Sequence, residues 1–315
     1  MKYFTQMTLA LIASVLLLSA CKTKDATLSG DGSSDKPVEN ALLWKIEGNE
    51  LTIPSYLYGT IHIIDGDDYF LPSGTLAAID QTDKMVFEID MNDMSDMSKM
   101  MGIMMQAFMK DNVTLKDLLS DNDYQIVADH FESIGLPLMM LERIKPMFLS
   151  ALAYGDMDPS GLQSGSMKSY EMEFFEMAQS ANKPVTGLET IEFQMGIFDS
   201  IPYQDQADML VETIKMSDTD SDEFDKMTEM YKSQNINAMI EMIGDESGGL
   251  SDHEDVLVGM RNRNWIPVMG EMMKTQPTFF AVGAGHLAGN QGVIKLLRKA
   301  GYKVSPISNK QIKKG

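Results

Sequence analysis

The sequence predicts an α/β fold, with α+β character: a mixed central sheet covered by helices, and a largely helical middle region. Two observations carry this. Strand-like runs alternate with helical ones at both ends of the chain, "ALLWKIEGN" and "LTIPSYLYGTIHI" early, "TFFAVGAGHLAG" and "NQGVIKLLRKAGYKVSPI" late. Between them, residues 203–275 read as mostly helical.

The first residues, "MKYFTQMTLALIASVLLLSAC", set Lys2 before a short apolar run and a small-residue site. That run is too short for a permanent membrane span, so residues 1–20 are expected to be a cleaved signal peptide. Leu18-Ser19-Ala20-Cys21 fits a bacterial lipobox, and Cys21 is the only cysteine of the chain. A chain that otherwise avoids thiols and keeps one at the cleavage site is expected to carry a lipid there. It then has no disulfide and no cysteine nucleophile. Residues 21–40, rich in Gly, Ser and Asp, read as a flexible tether, and 41–310 as one domain. Lys22 is no inner-membrane retention signal, so similarity to bacterial lipoproteins places the anchor in the outer membrane of a Gram-negative cell, periplasmic side. The formal net charge of −20 argues against nucleic acid and an anionic lipid surface as direct partners and speaks mainly for solubility. Membrane contact is therefore expected through the lipid alone.

Within the domain, Glu47-Gly48-Asn49-Glu50 reads as the turn between two strands, and "DKMVFEID" (83–90) as a third. Residues 91–110 and the segment from Thr114 to a stop at Gly135 read as helices, the latter on the spacing of Leu115, Leu118, Leu119, Ile126 and Val127. "SYEMEFFEMAQSANKPVTGLET" reads as helix, turn and strand, and the same order returns at the C-terminal end.

Four strand-like runs end in a residue of metal-ligand type: "SYLYGTIH" at His62, "KMVFE" at Glu88, "PVTGLE" at Glu189 and "TFFAVGAGH" at His286. Ligand crevices of open α/β sheets lie at the carboxyl ends of strands, so the four converge if their strands are neighbours. Glu88 shares a strand face with Val86, where a covered sheet expects an apolar residue; such a carboxylate calls for a cation, a metal or a raised pKa. His62 and His286, two of only four histidines, both end a Gly-x-x-His turn. Gly59, Gly283 and Gly285 are expected to let the backbone leave the sheet and approach a ligand closely. Two imidazoles with one or two carboxylates suit a divalent transition metal, Mn, Co or Zn, which would bring the pKa of bound water toward ~7. The plainer alternative is two satisfied histidines at strand ends, and the paired setting speaks against it.

These stretches, together with "VTLKDLLSDNDYQIV", "KPVTGLETIEFQMGIF", "MRNRNWIPVM" and "FFAVGAGHLAGNQGVIKLLRKAGYKV", resemble the TraB/GumN family, related to the TIKI metalloproteases and more distantly to erythromycin esterase-like and ChaN-like proteins. The resemblance runs from about Ala41 to Ile307. It implies that His62 and His286 are central, that Glu88 and Glu189 are active-site carboxylates, and that the activity is divalent-metal-dependent and peptidase-like. It also covers Arg261 and Asn262, which could bind a substrate carboxylate or a developing oxyanion, or else lie on a solvated helix surface. The reading is thus a membrane-tethered periplasmic metallohydrolase acting on a peptide or protein. The alternative is a binding protein that captures peptide, metal or haem in the same cleft.

Other signals carry less. "HEDVL" lacks the second histidine of a helical zinc motif, because Leu257 stands there. Asp218, Asp220, Asp222 and Glu229 have calcium-loop spacing, but Glu223 replaces the turn glycine, leaving an acidic helix start. His130 reads as a boundary residue of its helix. The run "MNDMSDMSKMMGIMMQAFM" has methionines at helical spacing in a chain with 29 of them, so they are expected to fill core gaps. Clustered thioethers also suit Cu(I), and an exposed methionine face would suit a partner peptide or a homodimer.

Overall fold

The computed structural model describes residues 36–153, 164–219, 221–246 and 253–307. The leader, Cys21, most of the tether and Asp220 lie outside the described residues. Strands β1 (Leu43–Gly48), β2 (Ser55–Thr60), β4 (Lys84–Phe87), β6 (Val185–Gly187), β7 (Thr278–Gly283) and β8 (Tyr302–Pro306) form one sheet in the order β6-β4-β7-β2-β1-β8. Two short strands, β3 (Ile64–Asp65) and β5 (Met167–Lys168), make a separate ribbon with no signal in the sequence pattern.

The sheet is mixed as expected. Strand β1 runs antiparallel to both β2 and β8, joined to β2 through Gly48, Asn49 and Glu50 in left-handed backbone conformations. Strands β2, β7, β4 and β6 are mutually parallel. All four therefore end at the same edge.

Alternation along the parallel strands gives each face its own cover. Tyr58 and Phe279 pack against Phe174 of helix Tyr170–Ser180, at ring-centroid distances of 4.9 and 5.5 Å. Val86 lies on the opposite face. Glu88 shares that face and meets helix Met260–Thr275, which buries Trp265, Met269 and Met273 in the same core as Ile294 and Leu297 of helix Val293–Lys299. Both faces are thus covered, and the carboxylate at the strand end keeps only 15% of its side chain exposed.

The helical middle holds its own apolar cluster, in which Leu115, Val127, Phe131, Leu149, Leu210 and Ile214 are fully or almost fully buried. The helix expected from Thr114 is two helices, Leu115–Leu118 and Asp121–Ser133. Local caps cut it: Asp117 accepts from the Thr114 backbone N–H, and Ser120 takes the Asp123 backbone N–H. Gly135 follows the second helix with φ of 79°, the stop the sequence implied. The 91–110 segment is likewise divided, because Asp96 is extended and caps helix Met97–Gln106 through the N–H groups of Ser98 and Lys99.

One expectation fails in that helix. It buries no residue, and Met97, Met101, Met104 and Met105 are 80%, 57%, 59% and 68% exposed. These four methionines do not fill core gaps, whereas Met109, at the end of the same run, is buried in the cluster of the helical middle. Among the described residues no helix is long and apolar enough to cross a membrane.

Candidate active site

The parallel order brings three of the four expected side chains into one contact set. Glu88 follows β4, His286 closes the turn after β7, and Glu189 follows β6. His286 Nε2 lies 3.7 Å from Glu88 Oε1. Glu88 Oε1 also accepts the Gly283 N–H at 2.8 Å, and Oε2 accepts from Gln194 at 3.3 Å.

Between the carboxylates sits Arg261. Its Nη2 is 2.5 Å from Glu88 Oε2 and 2.7 Å from Glu189 Oε1, and its Nε donates to Glu189 Oε1 at 2.9 Å. Nη1 donates to the Leu257 carbonyl and to His286 Nε2, each at 3.2 Å. Four hydrogen bonds and a further ion-pair contact thus engage all three nitrogens of the guanidinium. Arg261 is not the solvated surface charge that the sequence left open; it is 8% exposed and stands as the internal counter-ion of two carboxylates. A turn of π-helix, Asp255–Gly259, precedes it, a device often found where a helix must aim a functional side chain.

Asn262 is likewise engaged inside the protein. Its Nδ2 donates to the carbonyls of His286 at 3.2 Å and Gln291 at 2.8 Å, and its Oδ1 lies 2.6 Å from His286 Nδ1. Its amide holds the His286 ring and turn. Glu189 is placed in the same supporting layer: Oε1 takes Arg261 and Oε2 takes Trp265 Nε1 at 2.9 Å. The Trp265 ring in turn stands 4.5 Å from the His286 ring.

His62 leaves the end of β2 and is 68% exposed, with Nδ1 3.2 Å from Glu171 Oε1. That carboxylate, in the first turn of helix Tyr170–Ser180, also accepts the buried Thr60 hydroxyl at 2.6 Å. Sequence reasoning missed Glu171, because it lies on a helix rather than at a strand end and shares no motif with His62.

Two of the glycines make room for the protein's own groups. A Cβ on Gly59 would stand 2.8 Å from Leu287 Cδ2 and 3.2 Å from the backbone of Ala284, so the first Gly-x-x-His motif is shaped to seat the turn of the second. A Cβ on Gly283 would stand 3.2 Å from Glu88 Oε1. Gly285 lies within the 3-10 turn Ala284–His286.

The charge states follow from these contacts. Burial alone would raise the Glu88 carboxyl, but the positive charges of His286, Arg261 and His62 and the Gly283 N–H outweigh it and bring the pKa down to about 2. Burial, with Arg261 and His62 nearby, lowers His286 to about 4 against the opposing pull of Glu88. At neutral pH the pair is therefore a carboxylate and a neutral imidazole. Folding thus leaves His286 unprotonated where the unfolded chain, with the ordinary value of 6.5, takes up a proton. Stability contributed this way is complete above pH 6.5 and declines as the pH falls to about 4, by on the order of 3 kcal/mol at 1.36 kcal/mol per tenfold. Glu88 continues the loss from its ordinary 4.5 down toward 2. Urea unfolding of the chelator-treated chain is expected to show this fall between pH 7 and 4, and His286→Gln is expected to flatten it. A wild-type profile that stays level over that range would contradict the assignment.

Whether the site suits a divalent metal is a question of donors. Among the described residues no three His, Cys, Asp or Glu side chains stand together as a preformed cluster. The donor chemistry nevertheless fits: two imidazoles, each with Nδ1 beside an oxygen, and an ionised Glu88 3.7 Å from the Nε2 of one of them.

A family model for TraB/PrgY/gumN proteins matches residues 42–306, and the chain belongs to that family. In sequence it is similar to Metalloprotease TIKI2 of Danio rerio, 21% identical over 86% of this chain and 62% of that protein. Metalloprotease TIKI1 of the same fish is 22% identical over 84% of this chain and 63% of its own length. A Metalloprotease TIKI homolog of Amphimedon queenslandica is 22% identical over 95% of this chain and 68% of that protein. The chain thus spans less than two thirds of the length of the two Danio relatives. No solved structure matches it.

Proposed function

We propose that the chain is a metal-dependent hydrolase acting on peptide bonds, tethered through Cys21 to the periplasmic face of an outer membrane. One observation carries the reading: the parallel order β2, β7, β4, β6 sets an ionised Glu88 and a neutral His286 at one sheet edge, on the side where β2 delivers His62. The metalloprotease relatives support the same reading.

His62, His286 and Glu88 are the residues that would hold the ion, with Glu189 withheld by Arg261 and Trp265. When bound, a divalent ion supplies a Lewis acid and makes water ionisable near neutral pH. Glu88, anionic at neutral pH and beside His286, is placed to act as a ligand of the ion or as the acceptor of a proton from its water. Arg261 keeps Glu88 charged and aimed, and Trp265 and Asn262 keep His286 in its rotamer. The polypeptide substrate and the choice among Mn, Co and Zn belong to the same proposal.

The purified chain, incubated with each of those metals and passed through a desalting column, is expected to retain about one divalent ion, and His62→Ala and His286→Ala are expected to lose it. The loaded wild type is then expected to cleave a peptide library. Retention by both variants, or no retention by wild type, would remove the metal reading.

A second reading has its own observation. With Arg261 Nη1 on His286 Nε2 and Nη2 on Glu88, the cleft as it stands is closed by an internal cation, which suits capture of a ligand without turnover. Metal-independent binding of peptide or haem, with no cleavage, would favour it.

A further inference from the structure

We infer that Glu171 is a positioning residue of this site: its carboxylate fixes His62 as the Nδ1–H tautomer, as Asn262 does for His286, so that both imidazoles carry their lone pair on Nε2. The inference rests on the proposed function only for its consequence, and on donor and acceptor chemistry for its substance.

For His286 the tautomer is determined twice. The two N–H groups of Asn262 Nδ2 go to the carbonyls of His286 and Gln291, which leaves Oδ1, an acceptor, facing Nδ1 at 2.6 Å. Nδ1 must therefore carry the proton. On the other side of the ring, Arg261 Nη1 lies 3.2 Å from Nε2, and a guanidinium can only donate. Nε2 must therefore carry the lone pair.

For His62 the partner is stronger. Glu171 Oε1 lies 3.2 Å from Nδ1 and accepts the Thr60 hydroxyl at 2.6 Å, while Oε2 accepts the Ser169 hydroxyl at 3.1 Å. Both carboxylate oxygens thus accept hydroxyl protons, and the ring nitrogen that faces Oε1, Nδ1 of His62, is the donor of its contact. Thr60 is the last residue of β2 and Glu171 the second of an 11-residue helix, whose N-terminal dipole favours the anion. The clamp is thus built from two packed elements, although the histidine it holds is exposed.

The two clamps come from opposite faces of the sheet, Glu171 from the helix over Tyr58 and Asn262 from the helix over Glu88. A metal ligand gains affinity and a fixed direction when its second nitrogen is hydrogen-bonded in this manner, and losing such a partner typically costs 10–100-fold in affinity.

The test begins without metal. In the chelator-treated chain labelled with 15N-histidine, long-range proton–nitrogen correlation is expected to show His62 with a pyrrole-like Nδ1 and a pyridine-like Nε2, the pattern also expected of His286. Glu171→Ala should move His62 toward the other tautomer while His286 keeps its own, and Glu171→Gln, which retains an acceptor, should restore the wild-type pattern in part. The unchanged His286 signals report that the variants are folded. Equilibrium dialysis against Mn, Co and Zn should then show affinity falling about 10–100-fold in Glu171→Ala and less in Glu171→Gln. A wild-type His62 protonated on Nε2, or a Glu171→Ala chain with an unaltered His62 pattern, would overturn the inference. If the tautomers are as stated but the wild type binds no metal, Glu171 keeps its positioning role and the proposed metal-dependent function fails instead.

Discussion

Replacing Arg261 with alanine is expected to destabilise the chain by about 3–5 kcal/mol, the range for removing one partner of a buried ion pair. The reason is asymmetry. Glu88 and Glu189 have side chains only 15% and 5% exposed, and both rely on the same guanidinium. Truncating the arginine leaves two carboxylates in a poorly solvated interior, where each regains neutrality only by taking up a proton. Arg261→Lys should recover only part of the loss, because an ammonium cannot reproduce the fork that meets Glu189 through Nε and Nη2. Urea unfolding at neutral pH measures both variants. Adding Glu189→Gln to Arg261→Ala should return some of the stability, since one of the stranded charges is gone. Should the alanine variant unfold at the wild-type midpoint, Arg261 would not be the counter-ion described.

The second large effect separates the two glutamates. Glu88→Gln keeps the size of the side chain and a carbonyl for the Gly283 N–H, but removes the charge beside His286. Hydrolysis by the metal-loaded chain is expected to fall on the order of 10²–10⁴-fold, the usual worth of a positioned acid or base. Metal retention should fall with it. Glu189→Gln should behave differently: it weakens the hold on Arg261 and Trp265, so its effect is on unfolding, with metal retention kept. Steady-state cleavage of one peptide and metal content after desalting distinguish the two. A Glu88→Gln chain with wild-type turnover and metal content would take Glu88 out of the chemistry.

The strand ends of this site were legible in the sequence. His62, Glu88, Glu189 and His286 could be read because a strand's side-chain alternation and a closing turn leave a local signature; the parallel order gathers Glu88, Glu189 and His286 around Arg261, whereas His62 stands exposed against Glu171. The supporting roles were not legible. Nothing at the level of spacing tells that Arg261 faces inward onto two carboxylates, since helix Met260–Thr275 presents charged residues on both of its sides and Arg263, two residues on, pairs with Asp255 at the surface. Glu171 was invisible for a related reason: its partner is 109 positions earlier and on another element. The expected helices failed at Ser120 and Asp96, where a short polar side chain gives the backbone N–H groups a better local partner than continuing the turn. The methionine helix misled because apolar periodicity reports a face, not what covers it.

The chain separation of β2 and β7 bears on biosynthesis. The Thr278 N–H reaches Ser55 Oγ across 223 residues, and the parallel pairing that begins there carries both Gly-x-x-His turns to the same edge. A chain emerging from the ribosome holds the first turn from early on and the second only near completion. Contacts this distant in sequence form late and slowly. A nascent chain that stops short of β7 consequently holds His62 without the turn that Gly59 is shaped to receive. The meeting of the two motifs is a late event of synthesis, fixed by the strand order itself.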